Sequence, residues 1–119
     1  MRKGIPVVFF LLVFGFSVNA GAHIYTLEYS PEPDSTLNEP PKKVMITLVG
    51  SVEPAFSRIE VFSSDGEKVS GKTSFKEDDT IMETELKENL PPGKYTVKWK
   101  CMSLDGHLQK KEFVFFIKK

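Results

Sequence analysis

The chain has 119 residues, with 16 basic and 16 acidic side chains, two histidines and one cysteine. That length fits one small domain, and the balanced charge excludes the broad positive field that nucleic-acid binding requires. A single cysteine, Cys101, excludes an internal disulfide, so apolar packing has to hold the fold.

The first element is a targeting segment. Arg2 and Lys3 form a short basic region, Val7 to Phe14 is uninterruptedly apolar, and the stretch from Phe16 turns small and polar up to Ala20-Gly21-Ala22. This three-part pattern with an A-x-A end is that of a secretory signal peptide. The apolar run falls short of the ~20 residues of a membrane span. It holds no cysteine, which excludes a lipoprotein cut. A cut after Ala22 is expected, giving a leader 1–22 and a mature domain 23–119. With Arg2 and Lys3 gone, the mature chain keeps 14 basic against 16 acidic residues over 97 positions, a net charge of −2. No later stretch is long and apolar enough for a transmembrane helix, so the membrane is met only through the leader before cleavage.

Turn residues then punctuate the chain at short intervals, which reads as all-β. Ile24 to Tyr29 is a first strand, followed by a proline-rich stretch, Ser30 to Ser35, that suits neither helix nor central strand. After the break at Glu39-Pro40-Pro41-Lys42, residues Lys43 to Val49 form a strand. Arg58 to Phe62 alternates, with Ile59 and Val61 on one face. Asp65-Gly66 is a hairpin signal leading into Glu67-Lys68-Val69. Asp78-Asp79 separates the Gly71 to Lys76 region from a strand at Thr80 to Leu86. Past Leu90-Pro91-Pro92-Gly93, the strand Tyr95 to Lys100 places Tyr95, Val97 and Trp99 on one face. Glu112 to Ile117 is the last strand. About seven strands without an internal repeat or second domain predict a β-sandwich of immunoglobulin-like type.

The chemistry is concentrated in the two histidines. After the cut, His23 carries both a free α-amine and its imidazole. His107 closes Leu104-Asp105-Gly106-His107. A strand beginning at His23 and a turn holding Asp105 to His107 can meet at one end of a sandwich. Asp105 and His107 are two apart, so extended backbone points both side chains to one side, and Gly106 between them permits a tight bend. The amine and imidazole of His23 chelate, His107 adds a third nitrogen, and Asp105 approaches axially or accepts a hydrogen bond from bound water. Nitrogen-rich tetragonal coordination suits Cu(II); Zn(II) would take the same donors more tetrahedrally. Either histidine alone reads as an ordinary surface residue, and D-G-H alone as a hairpin tripeptide. Their conjunction with the cleavage site carries the assignment.

Other groups read as structure. Cys101 is a small buried hydrophobe, with a metal-ligand or redox role as the alternative. Met45, Met82 and Met102 are far apart and read as core filling, as do Phe113, Phe115 and Phe116 with one ring at an edge. The acidic pairs Asp78-Asp79 and Glu83/Glu85 belong to solvated turns and strand faces. No phosphate loop, His-x-x-x-His pair or nucleophile turn is present.

The chain resembles the CopC family of periplasmic copper-resistance proteins. The resemblance is carried by His23, Ser30-x-Pro-x-x-x-Ser, Pro41-Lys42-Lys43-Val44 and Val52-Glu53-Pro54-Ala55-Phe56-Ser57. Its strongest part is Leu90-Pro-Pro-Gly-Lys-Tyr-Thr-Val-Lys-Trp99, leading into Ser103-Leu-Asp-Gly-His107. It implies a seven-stranded, Greek-key β-sandwich or barrel of immunoglobulin-like, cupredoxin-like topology. It also implies Cu(II) held by the His23 amine and Nδ1, by His107 and by Asp105. Partners implied are the copper ion and a CopD-like inner-membrane protein.

Three departures matter. The family's glutamate ahead of the V-E-P-A-F-S segment is Gly50 here, with Glu53 near but out of register. The Met/His-rich Cu(I) loop is replaced by Ser63-Ser64-Asp65-Gly66-Glu67, which points to a Cu(II)-only form. Lys110 replaces a glycine as a change on a strand surface. The expected protein is a periplasmic, non-enzymatic Cu(II) carrier for sequestration, tolerance or transfer. The alternatives are a small histidine-brace copper oxygenase and a metal-free immunoglobulin-like module.

Overall fold

A computed structural model describes residues 24–119. Eight strands run through this segment: β1 (Tyr25–Ser30), β2 (Thr36–Leu37), β3 (Lys43–Val49), β4 (Arg58–Ser63), β5 (Ser70–Lys76), β6 (Ile81–Leu86), β7 (Gly93–Met102) and β8 (Leu108–Ile117). They form two four-stranded sheets in the orders β1-β3-β6-β5 and β2-β8-β7-β4. In immunoglobulin lettering this is ABED against CFG, with β2 added beside the last strand. The all-β, immunoglobulin-like expectation therefore holds. No helix among the described residues is long and apolar enough to cross a membrane.

Alternation builds the core. Along β7, Tyr95, Val97, Trp99 and Cys101 are buried while their neighbours face out. On the facing sheet, Val44, Ile46 and Leu48 of β3 and Met82 and Leu86 of β6 close the interior. Two inner faces that interdigitate this way are the core of a sandwich, and the apolar area removed from water is its main support. Tyr95 and Phe115 stack with centroids 5.4 Å apart. Trp99 meets the edge of Tyr29 at 5.9 Å, and its buried Nε1 has no acceptor among the described residues.

The strand count is eight instead of seven. The additional one, β2, is two residues long and pairs in parallel with Phe116 and Ile117 of β8. Its neighbouring prolines hid it, because they forbid a central strand but not a short edge one. The Asp65-Gly66 hairpin is also only partly formed. Val69 N–H still reaches the Val61 carbonyl at 2.8 Å, but from Ser70 the chain crosses to the other sheet. Of the described methionines only Met82 fills the core; Met45 and Met102 are half-buried on outer faces. Glu83 is not solvated: it is 8 % exposed and bridged by Lys43 at 3.5 Å and Lys76 at 3.2 Å. Phe115 is core, Phe113 packs against it, and Phe116 is half-buried on the outer face.

Candidate metal centre

Residues Ser103 to His107 form the β7–β8 turn, and Ser103 organises it. Its N–H donates to the His107 carbonyl at 2.9 Å, and its carbonyl accepts from Gly106 N–H at 2.9 Å. Its hydroxyl donates to Asp105 Oδ1 and accepts the His107 N–H at 3.1 Å. Ser103 is fully buried, so these bonds form away from competing water. Gly106 sits at φ +93°, a conformation that few L side chains adopt. The turn thus presents Asp105 and His107 outward, with side chains 49 % and 65 % exposed.

Asp105 and His107 touch. The imidazole Nδ1 lies 3.2 Å from Asp105 Oδ1. The Ser103 hydroxyl and then the His107 ring hold the Asp105 carboxyl below its ordinary value of 3.8, so the carboxylate form is favoured. A carboxylate on one ring nitrogen fixes the tautomer and leaves Nε2 as the lone-pair donor. Asp105 Oδ2 takes no hydrogen bond from another described residue.

The chain enters the sandwich beside this turn. Ile24 is buried, and its carbonyl accepts from Gln109 Nε2 at 3.4 Å, two residues beyond His107. Gly50 lies across from it: a Cβ there would stand 2.8 Å from Ile24 Cδ1, and the glycine's φ is +112°. Gly50 is therefore more than a lost ligand. It leaves room for the side chain that anchors the first described residue. Glu53 also borders the turn, through its N–H to the Met102 carbonyl at 2.8 Å and the bridge between Val52 and Ser103. Ser57 ties that segment down, donating to the Glu53 carbonyl and accepting from Met102 N–H.

Of the three expected ligands, Asp105 and His107 are brought together. His23 lies outside the described residues. Among those described, no group of three or more His, Cys, Asp or Glu is placed to hold a metal. Cys101 is buried beneath the turn, and burial pushes its thiol up against thiolate formation, only partly offset by Lys111. That environment fits the small-hydrophobe reading.

The CopC domain family matches residues 26–118. The chain belongs to the CopC family. It is 40 % identical over 88 residues to the copper transport protein CutJ of Bacillus subtilis, covering 72 % of this chain but 16 % of CutJ. Protein YobA of Escherichia coli K12 is 25 % identical over 99 residues, covering 82 % of this chain and 80 % of YobA. Among solved structures, CopC from Methylosinus trichosporium OB3b aligns with a TM-score of 0.73 and 29 % identity, over 81 % of this chain and 94 % of that one. PcoC, a methionine-rich copper resistance protein from Escherichia coli, shares the fold with a TM-score of 0.71 at 24 % identity, over 82 % of this chain and all of that one.

Within this CopC domain, sequence reasoning missed the parts played by Ser103 and Gln109. A signal for Ser103 was present: Ser63-Ser64-Asp65-Gly66 repeats the Ser-x-Asp-Gly of the Ser103–His107 turn. Gln109 carries no such mark, because its partner is a backbone carbonyl 85 positions away. Lys110 stands on the exposed outer face of β8, as a strand-surface change would.

Proposed function

We propose that the mature protein is an exported Cu(II) carrier that sequesters or hands on copper without turnover. One observation supports it above others: the start of the described chain and the Asp105–His107 pair converge at the same end of the sandwich, through Ile24 and Gln109. Cleavage after Ala22 would put the His23 amine and imidazole next to Ile24, completing a donor set that Asp105 and His107 only begin. His107 supplies Nε2. Asp105 Oδ1 holds the ring, and Oδ2 would be left as a further oxygen donor. Copper supplies the Lewis acidity that binds these nitrogens in their deprotonated forms. The copper named in the descriptions of CutJ and PcoC supports the choice of ion. The absence of a methionine cluster at the turn favours the Cu(II) state.

A periplasmic location follows from the leader, with the cell surface as its equivalent where no outer membrane exists. A CopD-type inner-membrane protein is the proposed partner. The part of CutJ that this chain matches is 16 % of a longer copper transport protein, which leaves room there for a membrane-bound partner of the domain.

The deciding experiment is N-terminal sequencing of the exported protein together with Cu(II) titration of three forms. The form starting at His23 should bind one Cu(II) tightly. A form with one extra N-terminal residue, and His107→Ala, should bind far more weakly. Equal affinity in all three overturns the coordination. Oxidised polysaccharide products in the presence of a reductant would overturn the carrier reading.

A further inference from the structure

The two outer sheet faces treat their charges differently. On the β1-β3-β6-β5 face, Glu83 stands between Lys43 and Lys76 and pairs with both. On the other face, Arg58, Lys100 and Lys110 stand directly opposite one another across β4, β7 and β8. Like charges in directly opposed positions destabilise a sheet. Arg58 meets Glu60 at 3.4 Å, yet Lys100 and Lys110 reach no carboxylate among the described residues. Lys98 and Lys111 border the same groove, of about 510 Å³. Glu60 and Glu112, directly opposite Lys98, border the groove as well, so five cations stand against two carboxylates and the place keeps a positive excess.

The row of cations ends at an apolar rim. Met102 and Leu108 pair two residues beyond Lys100 and Lys110, on the same face, and Phe56 lies two residues before Arg58. Phe56, Leu104 and Leu108 are 54 %, 65 % and 45 % exposed. Large apolar side chains held this far into water, contiguous with lysines, have the layout of a surface that inserts its tip into lipid and holds headgroups behind it. We propose that this face docks on an anionic phospholipid bilayer, with Phe56, Leu104 and Leu108 entering the headgroup region and the Arg58–Lys100–Lys110 row on the phosphates.

Four of the five cations are lysines, flexible point charges that suit the diffuse negative layer of an anionic lipid surface. A second copy of this chain would bring the same cations against themselves. The acidic turn Glu77-Asp78-Asp79 joins β5 to β6 of the other sheet, and its Asp79 carbonyl accepts at 3.0 Å from the N–H of Val52, the residue that bridges Ser103. Docked this way, the Ser103–His107 turn sits at the membrane surface. The proposal does not depend on copper, and it goes beyond an encounter through the leader alone.

The test is co-sedimentation of the mature protein, without copper, with vesicles of phosphatidylcholine alone or of equal parts phosphatidylcholine and phosphatidylglycerol. Binding should appear only with phosphatidylglycerol and weaken as salt rises. Lys100→Glu should lower partitioning at least about 20-fold, since each cation near such a surface is worth about fivefold and the change removes one and adds an anion. The same variant should keep or raise Tm, by roughly 1–4 °C, because it relieves the like-charge row. Phe56→Ser with Leu108→Ser should remove the binding that survives salt. No preference for phosphatidylglycerol overturns the proposal, as does full binding by Lys100→Glu. Binding to polyglutamate with none to vesicles overturns it in favour of an acidic protein partner.

Discussion

The two ends of the sandwich are closed by the same five-residue turn, and only one of them ends on a histidine, the residue on which the proposed copper site rests. At the far end, Ser63 N–H meets the Glu67 carbonyl at 2.9 Å, Gly66 N–H meets the Ser63 carbonyl at 3.0 Å, and the Ser63 hydroxyl caps Asp65. At the near end, Ser103, Asp105, Gly106 and His107 repeat each of these bonds. Gly66 and Gly106 share nearly the same φ, +89° and +93°. The Ser-x-Asp-Gly unit is therefore a way to turn between strands. What differs is the fifth residue and its company. Glu67 is taken up by Lys87 at 2.8 Å, and the Tyr95 hydroxyl seals that end by donating to the Pro91 carbonyl at 2.6 Å. Among the described residues the His107 side chain meets only the turn's own aspartate, beside the entering chain at Ile24.

The sharpest way to break this comparison is to give the far turn the same sequence ending. Glu67→His creates a second Ser-x-Asp-Gly-His turn but has no chain start beside it. It should leave copper stoichiometry at one, as read by titration against the fluorescence of Trp99, the only tryptophan. Two tight sites would show that the turn alone makes the metal centre. In the opposite direction, His107→Ala should weaken Cu(II) by more than roughly 100-fold, beyond what supporting residues usually cost. Wild-type affinity should also fall between about pH 8 and 6, where free amines and imidazoles take up protons.

Smaller effects separate the turns as structural elements. Ser103→Ala strips the buried organiser and should cost about 1–2 kcal/mol in denaturant unfolding. Ser63→Ala, at an exposed turn, should cost about 0.5 kcal/mol or less. Equal losses would mean that burial under the Ser103–His107 turn adds nothing. Tyr95→Phe should cost about 1 kcal/mol and change the alkaline limb. Burial raises the Tyr95 hydroxyl above its ordinary value of 10.0. Its contribution is then fully present below pH 10 and lost as pH climbs through the raised value, because the unfolded chain ionises first. The phenylalanine variant should lose less stability above pH 10 than the wild type.

The fold was largely legible because a sandwich is written in alternation. Ile59/Val61 and Tyr95/Val97/Trp99 each mark a buried face, and Lys43 to Val49 agrees with its strand from end to end. Residues held by partners far away in sequence were not legible. Glu83 looks solvated until Lys43 and Lys76 arrive from two other strands, and β2 exists only because β8 offers it an edge. The local half of the candidate site, Asp105 and His107, could be read from a two-residue spacing. Gly50 shows the limit of such reading. The sequence marks a missing carboxylate there, while the structure shows a space occupied by Ile24.

The finest distinction concerns why each aspartate is held in its charged form. Both carboxyls lie below 3.8, and in both the serine hydroxyl is the first cause. The second cause differs: for Asp65 it is the Glu67 backbone N–H, and for Asp105 it is the His107 side chain. A lowered folded value contributes stability above the unfolded one and loses it as pH falls through the folded one, so both aspartates act on the acid limb below about pH 4. Glu67→Ala keeps the backbone donor, and the Asp65 titration followed by NMR should stay in place. His107→Ala removes a donor, and Asp105 should titrate closer to 3.8. If Asp105 does not move, His107 is oriented by something other than that carboxylate, and the turn would present a free imidazole where a positioned one is required.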